Sequence, residues 1–125
     1  MKNKLEALAD AISYINLAHE PESPAAQNRN PGMLKAFSLN HIRDAGGHRV
    51  FNSVLDGYQA LLYDLRIKIS GKSHARLPEN ATIMDLLHVY GHSIETARSV
   101  AKRVRKALNE PITADTPLSF FREDK

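Results

Sequence analysis

The 125-residue chain contains no cysteine and no tryptophan, and its apolar runs fall well short of the ~20 residues that span a bilayer. Without cysteine, the chain can have neither a disulfide framework nor a thiolate zinc site. Its first residues are polar and lack the apolar core of a signal peptide, so we predict no membrane span and synthesis in the cytoplasm. Association with a virion or release to the periplasm would need a partner that exports the chain.

The rest of the composition is ordinary for one globular domain, which we place over residues 1–125. Hydrophobic residues make up 42% and charged residues 25% of the chain, a balance that argues against wholesale disorder. The net charge is +3 and the sequence pI is about 9.3. This excess of cations favours anionic partners without requiring them.

Apolar periodicity predicts four helices. Leu5, Leu8 and Ile12 recur at helical spacing and indicate a first helix over about residues 3–18. Further segments are predicted as helices at about 54–70, 82–90 and 94–108, and as a C-terminal tail at 111–125. Between the first two helices, the sequence predicts an irregular loop over 19–33 and short strands at 34–39 and 49–52. The predicted fold class is therefore α+β, mainly α, with a small β-hairpin inside residues 19–53.

Five segments follow one another in a distinctive order. They are 27–34 (Gln-Asn-Arg-Asn-Pro-Gly-Met-Leu), 46–51 (Gly-Gly-His-Arg-Val-Phe), 56–61 (Asp-Gly-Tyr-Gln-Ala-Leu), the threonine-led segment 82–90 that ends in tyrosine, and 115–118 (Asp-Thr-Pro-Leu). Together they resemble the lysozyme-like superfamily, in particular the lytic transglycosylase-type domains of phages and bacteria with an Asn-X-Asn-Pro-Gly motif. The resemblance spans about residues 11–121. It implies a lysozyme-like helical domain that handles the glycan strands of peptidoglycan.

The resemblance places the family's general-acid glutamate at the position of Asn16. Cleavage of a glycosidic bond needs a carboxylic acid that protonates the leaving oxygen, and an amide cannot deliver that proton. In the family's chemistry, the sugar's own 6-hydroxyl then closes a 1,6-anhydro ring. Glu20, about one helical turn further along, is the fallback acid, although it also fits a solvated loop carboxylate. Met33 and the stretch 91–95 depart from the family pattern too, which suits a retained fold with altered or lost activity.

The same resemblance implies substrate contacts for Asn28, Asn30 and Tyr90. Each of these residues also has a structural alternative. Asparagine and Pro-Gly build turns by bonding their own backbone, and Tyr90 continues the apolar stripe of its helix. From the sequence, both interpretations stay open.

A basic face is predicted on the last helix, where Arg98, Lys102 and Arg105 share one side opposite the apolar stripe. Such a face is typical of a solvated helix surface. It also fits contact with the phosphates of nucleic acid or with the acidic polymers of a cell wall.

His88 and His92 are four residues apart, a spacing that lets two imidazoles face one metal ion on a helix. Gly91 interrupts the helix between them, and no third ligand accompanies them in the sequence. We therefore predict no metal site and no cofactor.

Three functional hypotheses follow. The first is a peptidoglycan-associated pseudoenzyme of phage or bacterial origin, with a virion-structural or repurposed binding role and a glycan or protein partner. The second is an active lytic transglycosylase that uses Glu20 as its general acid. The third is a non-enzymatic binder or inhibitor that contacts nucleic acid or protein through the basic last helix.

Overall fold

A computed structural model of the protein describes residues 3–17, 24–32, 34, 42–69, 80–90 and 92–122. Within these ranges lie five α-helices and a short 3-10 helix near the C-terminus. They are α1 (Lys4–Leu17), α2 (Pro24–Gln27), α3 (Val54–Ile69), α4 (Ile83–Val89), α5 (Ile94–Leu108) and the 3-10 helix (Leu118–Phe121). The prediction of a mainly α-helical protein is confirmed.

Side-chain caps set the first residues of three helices. At α1, Asn3 Oδ1 accepts a hydrogen bond of 2.7 Å from the backbone N–H three residues further on. At α4, Thr82 and Asp85 form the predicted reciprocal capping box. At α5, Ser93 Oγ accepts a hydrogen bond of 3.2 Å from the N–H of Thr96. These polar side chains satisfy backbone donors that have no partner inside a helix.

The short helix α2 corrects the prediction that residues 19–33 are irregular throughout. Pro24 is its first residue, a position that suits proline because its fixed φ is already helical and its missing N–H is not needed there. A single turn is too short to produce a periodic apolar pattern, so periodicity does not predict this helix. Glu20 lies outside the described residues.

The predicted β-hairpin is not shown by the described part of the chain. There, Arg43 and Arg49 form an isolated antiparallel bridge around the turn at 44–47. Of the predicted strand at 34–39, only Leu34 is described. The described residues therefore support a mainly α-helical fold class, and no β-sheet is assigned within them.

The apolar faces of the long helices meet in one core, in which α1 packs against α3 and α5 while α4 packs against α5. The C-terminal tail closes this core, as predicted: Leu118 and Phe121 are buried, and Phe120 packs against the core from its edge. The N–H of Leu118 donates to the Ala81 carbonyl at 2.8 Å, which fixes the tail beside the start of α4.

Candidate functional site

Three of the segments that carry the resemblance fold into one structural unit, here called the framework unit (described residues 28–32, 34, 49–51 and 56–61). The N–H of Arg49 donates to the Leu34 carbonyl at 2.9 Å. The N–H of Phe51 donates to the Asn28 carbonyl at 2.8 Å. The segment 49–51 is thereby paired with both ends of the Asn-X-Asn-Pro-Gly loop.

Two glycines let this loop approach α3 more closely than any side chain would permit. A Cβ built on Gly57 would lie 2.1 Å from the Arg29 carbonyl oxygen, and one built on Gly32 would lie 2.6 Å from Leu61 Cδ1. At Gly57 the close atom belongs to the backbone, so only glycine fits there. At Gly32 a larger residue would require the Leu61 side chain to shift. Each of the two segments, Asn-Pro-Gly and Asp-Gly, therefore supplies a glycine at the point where the other segment contacts it.

Asn30 is the polar centre of the framework unit. Its side chain is fully buried. Its Nδ2 donates to the carbonyls of Leu34 at 2.9 Å and Arg49 at 3.0 Å, while its Oδ1 accepts from the N–H of Leu34 at 2.9 Å. Because the amide serves backbone groups and no solvent reaches it, we reassign Asn30 from substrate contact to the structure of the loop.

Asn28 also points inward, and its Nδ2 donates to Asp44 Oδ2 at 2.8 Å. Asp44 in turn accepts hydrogen bonds from the backbone of the turn that follows it, at Gly46 and His48. The His48 N–H and then the Asn28 amide hold the pKa of the Asp44 carboxyl below its usual value, because both bonds favour the charged form. The Asn28 side chain thus joins the loop to the turn at 44–47.

Tyr58 anchors the other side of the framework unit. Its hydroxyl donates to Asp10 Oδ1 at 2.5 Å, which connects α3 to the middle of α1. Burial, followed by the bond to the Asp10 carboxylate, raises the pKa of the phenol well above its usual range. The hydroxyl therefore stays protonated and keeps donating at any physiological pH.

Asn16 lies at the last turn of α1 against the same loop. Its Nδ2 donates to the Pro31 carbonyl at 2.7 Å, and the side chain is partly buried. The residue expected to occupy the position of the family acid is thus in direct contact with the Asn-Pro-Gly turn. The fallback acid, Glu20, cannot be compared with it because it lies outside the described residues.

Tyr90, at the end of α4, contacts two charged residues of α3. Its hydroxyl donates to Asp64 Oδ2 at 2.5 Å, and Lys68 Nζ forms a short ion pair with the same oxygen. Lys68 Nζ also lies 5.1 Å from the centre of the Tyr90 ring. Burial of the phenol and the Asp64 charge raise the pKa of Tyr90 well above its usual value, so the hydroxyl stays a donor. The ring packs against the core, which favours the structural alternative for Tyr90.

Arg49 joins the framework unit to this group. Its guanidinium lies 4.6 Å from the centre of the Phe51 ring, in cation–π geometry. Burial lowers the pKa of Arg49, and the field of the Asp64 carboxylate partly offsets that effect. We call Arg49, Asp64, Lys68 and Tyr90 the Tyr90 cluster.

Hydrogen bonds therefore connect two of the predicted site residues: Asn16 donates to Pro31, the chain neighbour of Asn30, and Asn30 donates to the Arg49 carbonyl. Tyr90 belongs to a separate group, whose Asp64 acts on Arg49 through its charge and not through contact. Sequence analysis missed the three charged members of the Tyr90 cluster. The four-residue spacing of Asp64 and Lys68 on α3 signals an ion pair, but nothing in the sequence placed Tyr90 or Arg49 beside it.

The basic residues of α5 are exposed as predicted. We call them the α5 cations, and they are Arg98, Lys102, Arg103, Arg105 and Lys106. Within the described part of the chain, none of them forms an ion pair. Arg103 lies 3.2 Å from the centre of the Tyr14 ring, and this tyrosine is 42% exposed on α1. The fold thus places an aromatic side chain next to the cations, which the sequence did not indicate.

The two histidines considered as metal ligands do not share a site with a third ligand in the described residues. No group of three histidine, cysteine, aspartate or glutamate side chains converges there. His92 Nε2 is buried and has no hydrogen-bond partner among the described residues, and burial lowers the pKa of this imidazole. His88 is exposed on α4.

Among the described helices, none has the length and apolar character that crossing a membrane requires. Comparison of the chain with protein-family models, with curated proteins and with solved structures gave no match. Function is therefore inferred from the residues of the site and from the five sequence segments that resemble the lysozyme-like superfamily.

Proposed function

We propose that this protein is a peptidoglycan-associated, lysozyme-like domain whose glycan-cleaving activity is lost or impaired. The observation that carries the proposal is the hydrogen bond from the Asn16 amide to the Pro31 carbonyl at 2.7 Å. It joins the position expected for the acid to the loop that defines the resemblance. The finer fold, a lysozyme-like domain with a small β-hairpin, belongs to the same proposal.

The environment of residue 16 suits a neutral hydrogen-bond donor. An ionised carboxylate there would face the negative end of the Pro31 carbonyl, whereas a protonated carboxylic acid could donate to that oxygen as the amide does. Such a setting raises the pKa of a carboxyl, which is what a general acid at neutral pH requires. Asn16 meets the need for a donor but has no proton to transfer. This is the physical support for a site that keeps its structure and loses its chemistry.

Arg49 and Phe51 support a role in binding, because they are partly exposed and place a cation beside an aromatic ring. Lys68, whose side chain is 10% exposed, and Tyr90 are bonded to Asp64. Aromatic faces and a few well-placed polar groups are the usual means by which proteins hold small polar ligands. Buried hydrogen bonds of the framework unit hold this surface in place. The surface can therefore bind glycan even though residue 16 has no proton to transfer.

The test combines binding and cleavage. The unmodified chain should sediment with purified, insoluble peptidoglycan, should not lower the turbidity of a cell-wall suspension, and should release no anhydro-muropeptides. Asn16→Glu should gain cleavage because it restores a transferable proton at the same position. Asn16→Gln is the matched control, since it has the size of glutamate without the acid, and it should remain inactive.

Two outcomes would contradict the proposal. Release of anhydro-muropeptides by the unmodified chain would remove the pseudoenzyme interpretation, and loss of that activity in Glu20→Gln would assign it to the fallback acid. Failure of the unmodified chain to sediment with peptidoglycan would remove the binding role.

A second candidate function has its own observation. The α5 cations are exposed and without ion pairs in the described residues, and Arg103 pairs with the exposed ring of Tyr14. Unpaired cations beside an aromatic ring favour contact with nucleic acid, whose phosphates release counterions on binding. Charge reversal at Arg98, Lys102 and Arg105 should then abolish DNA or RNA binding in a filter-binding assay. Binding that survives the reversal would exclude this surface.

A further inference from the structure

Arg49 is a partly buried cation without a direct counterion among the described residues. Its guanidinium lies 4.6 Å from the centre of the Phe51 ring. The ion pairs shown among the described residues join Asp44 to His48 and Asp64 to Lys68, and Arg49 takes part in neither. Burying a cation away from water is costly unless an anion or hydrogen-bond acceptors replace the solvent. The aromatic ring supplies only part of that replacement.

Asp64, the carboxylate whose charge acts on Arg49, already has two other partners. Asp64 Oδ2 accepts from the Tyr90 hydroxyl and pairs with Lys68, so it acts on Arg49 through its field and not through contact. The Tyr90 cluster therefore contains two cations and one carboxylate, which leaves one positive charge uncompensated. Burial lowers the pKa of Arg49 more than the negative charge of Asp64 raises it.

The backbone of Arg49 is held in place from several sides. Its N–H donates to Leu34, its carbonyl accepts from the buried Asn30 amide at 3.0 Å, and it bridges to Arg43. A fixed backbone lowers the entropy that is lost when its guanidinium binds a ligand. The Arg49 guanidinium is therefore well placed to bind an anionic ligand, because no carboxylate of the described residues is paired with it.

We propose that Arg49 is a carboxylate-binding residue of the glycan site, so that the ligand is a glycan with carboxylate-bearing side groups and not a neutral one. This inference rests on the proposed peptidoglycan association and narrows its ligand class. The planar guanidinium matches a carboxylate through two parallel hydrogen bonds. Peptide stems that end in carboxylates give peptidoglycan this group, whereas chitin-type glycans lack it.

The experiment measures the affinity of the unmodified chain for three probes by calorimetry or NMR titration. The first is a disaccharide-peptide with free carboxylates, the second is the same molecule with its carboxylates amidated, and the third is neutral chitotetraose. The free-acid probe should bind roughly ten-fold more tightly than the amidated probe, as expected for a charge-assisted hydrogen bond. Chitotetraose should bind no better than the amidated probe.

Substitutions then locate the effect. Arg49→Gln should lower the affinity for the free-acid probe to that of the amidated probe and leave the amidated probe unchanged. Arg49→Lys should recover part of the difference, since it keeps the charge but not the two-point geometry. Lys4→Gln, which removes one positive charge from the exposed start of α1, is the matched control and should behave as the unmodified chain.

The outcomes separate this inference from the proposed function. Equal binding of all three probes would overturn the carboxylate inference and leave peptidoglycan association standing. No binding of any probe would overturn both. An equal loss in Lys4→Gln and Arg49→Gln would mean general charge attraction and would also overturn the inference. If Arg49→Gln does not fold, the comparison of free-acid and amidated probes on the unmodified chain still decides.

Discussion

The framework unit and the α5 surface both contain many polar residues, yet they use them in opposite ways. In the framework unit, Asn28 and Asn30 are buried and each amide has a partner inside the protein. On α5, the cations face solvent and form no ion pairs within the described residues. Burial therefore makes the polar groups of the first region structural, while those of the second remain available for contacts with other molecules.

The difference has an energetic consequence. A buried polar group that loses its partner pays the full cost of desolvation, whereas an exposed one regains water. Changes in the framework unit should therefore affect folding first, and changes on α5 should affect binding alone.

Gly57→Ala should destabilise the protein strongly, although alanine is normally the better helix former by roughly 1 kcal/mol. The new Cβ would lie 2.1 Å from the Arg29 carbonyl oxygen and 2.7 Å from Pro31 Cδ, so α3 and the loop would have to separate. We expect a loss of about 3 kcal/mol in the free energy of unfolding, measured by urea denaturation. Gly46→Ala is the control, because the nearest atom to its Cβ is 3.4 Å away. A Gly57→Ala variant as stable as the unmodified chain would show that the loop does not approach α3 this closely.

Asn30→Ala should cost about 2 kcal/mol, because it leaves backbone groups of Leu34 and Arg49 buried without their partner. Asn28→Ala should cost less, since its partner Asp44 remains partly exposed and can bind water instead. Urea unfolding of both variants measures the difference. Equal costs for the two asparagines would contradict the assignment of Asn30 as the buried centre of the unit.

Asp44 should make stability depend on pH in the acidic range. Its pKa is lowered in the folded protein, so its contribution is present above the unfolded value near 3.8 and is lost as pH falls through the lower folded value. NMR titration should place the folded pKa below 3.8, and Asp44→Asn should flatten the fall of stability on acidification. Asp115→Asn makes the same charge change in the exposed tail and serves as the control. A folded pKa of Asp44 above 3.8 would mean that the hydrogen bonds of the turn are absent.

Lys102→Gln should change the free energy of unfolding by no more than about 0.5 kcal/mol, because the side chain is exposed and has no ion pair to lose. Arg103→Gln should cost slightly more, since it gives up the contact with Tyr14. Thermal unfolding of both variants measures this small difference. A large loss in Lys102→Gln would show that the α5 surface is structural and would remove its contrast with the framework unit.

Predictions from the sequence are more accurate for the long helices than for the short elements between them. Periodicity predicted the helices at 3–18, 54–70, 82–90 and 94–108, and the observed helices agree to within one or two residues. The one-turn helix α2 was missed, and the β-hairpin is represented in the described residues by the bridge between Arg43 and Arg49 alone. Short elements leave little pattern in a sequence, because too few residues repeat for a period to emerge.

The candidate site was predicted only in part. The resemblance places the family acid at Asn16, and the structure adds that the Asn16 amide donates to the Pro31 carbonyl. Asn28 and Asn30 were named as ligand contacts with turn-building as the alternative, and their burial favours that alternative. Arg49, Asp64 and Lys68 were not anticipated, because their contacts join segments that are far apart in the chain.

The positions of the long helices, the absence of any disulfide, and an amide without a transferable proton at position 16 all follow from the amino-acid sequence. These properties are local, because they depend on the spacing and chemistry of neighbouring residues. The inward orientation of Asn30, the bonding of Asp64 to Tyr90 and Lys68, and the position of Tyr14 beside Arg103 depend on tertiary contacts. The choice of hydrogen-bond partners depends on which distant segments the core brings together, and no local pattern encodes that choice.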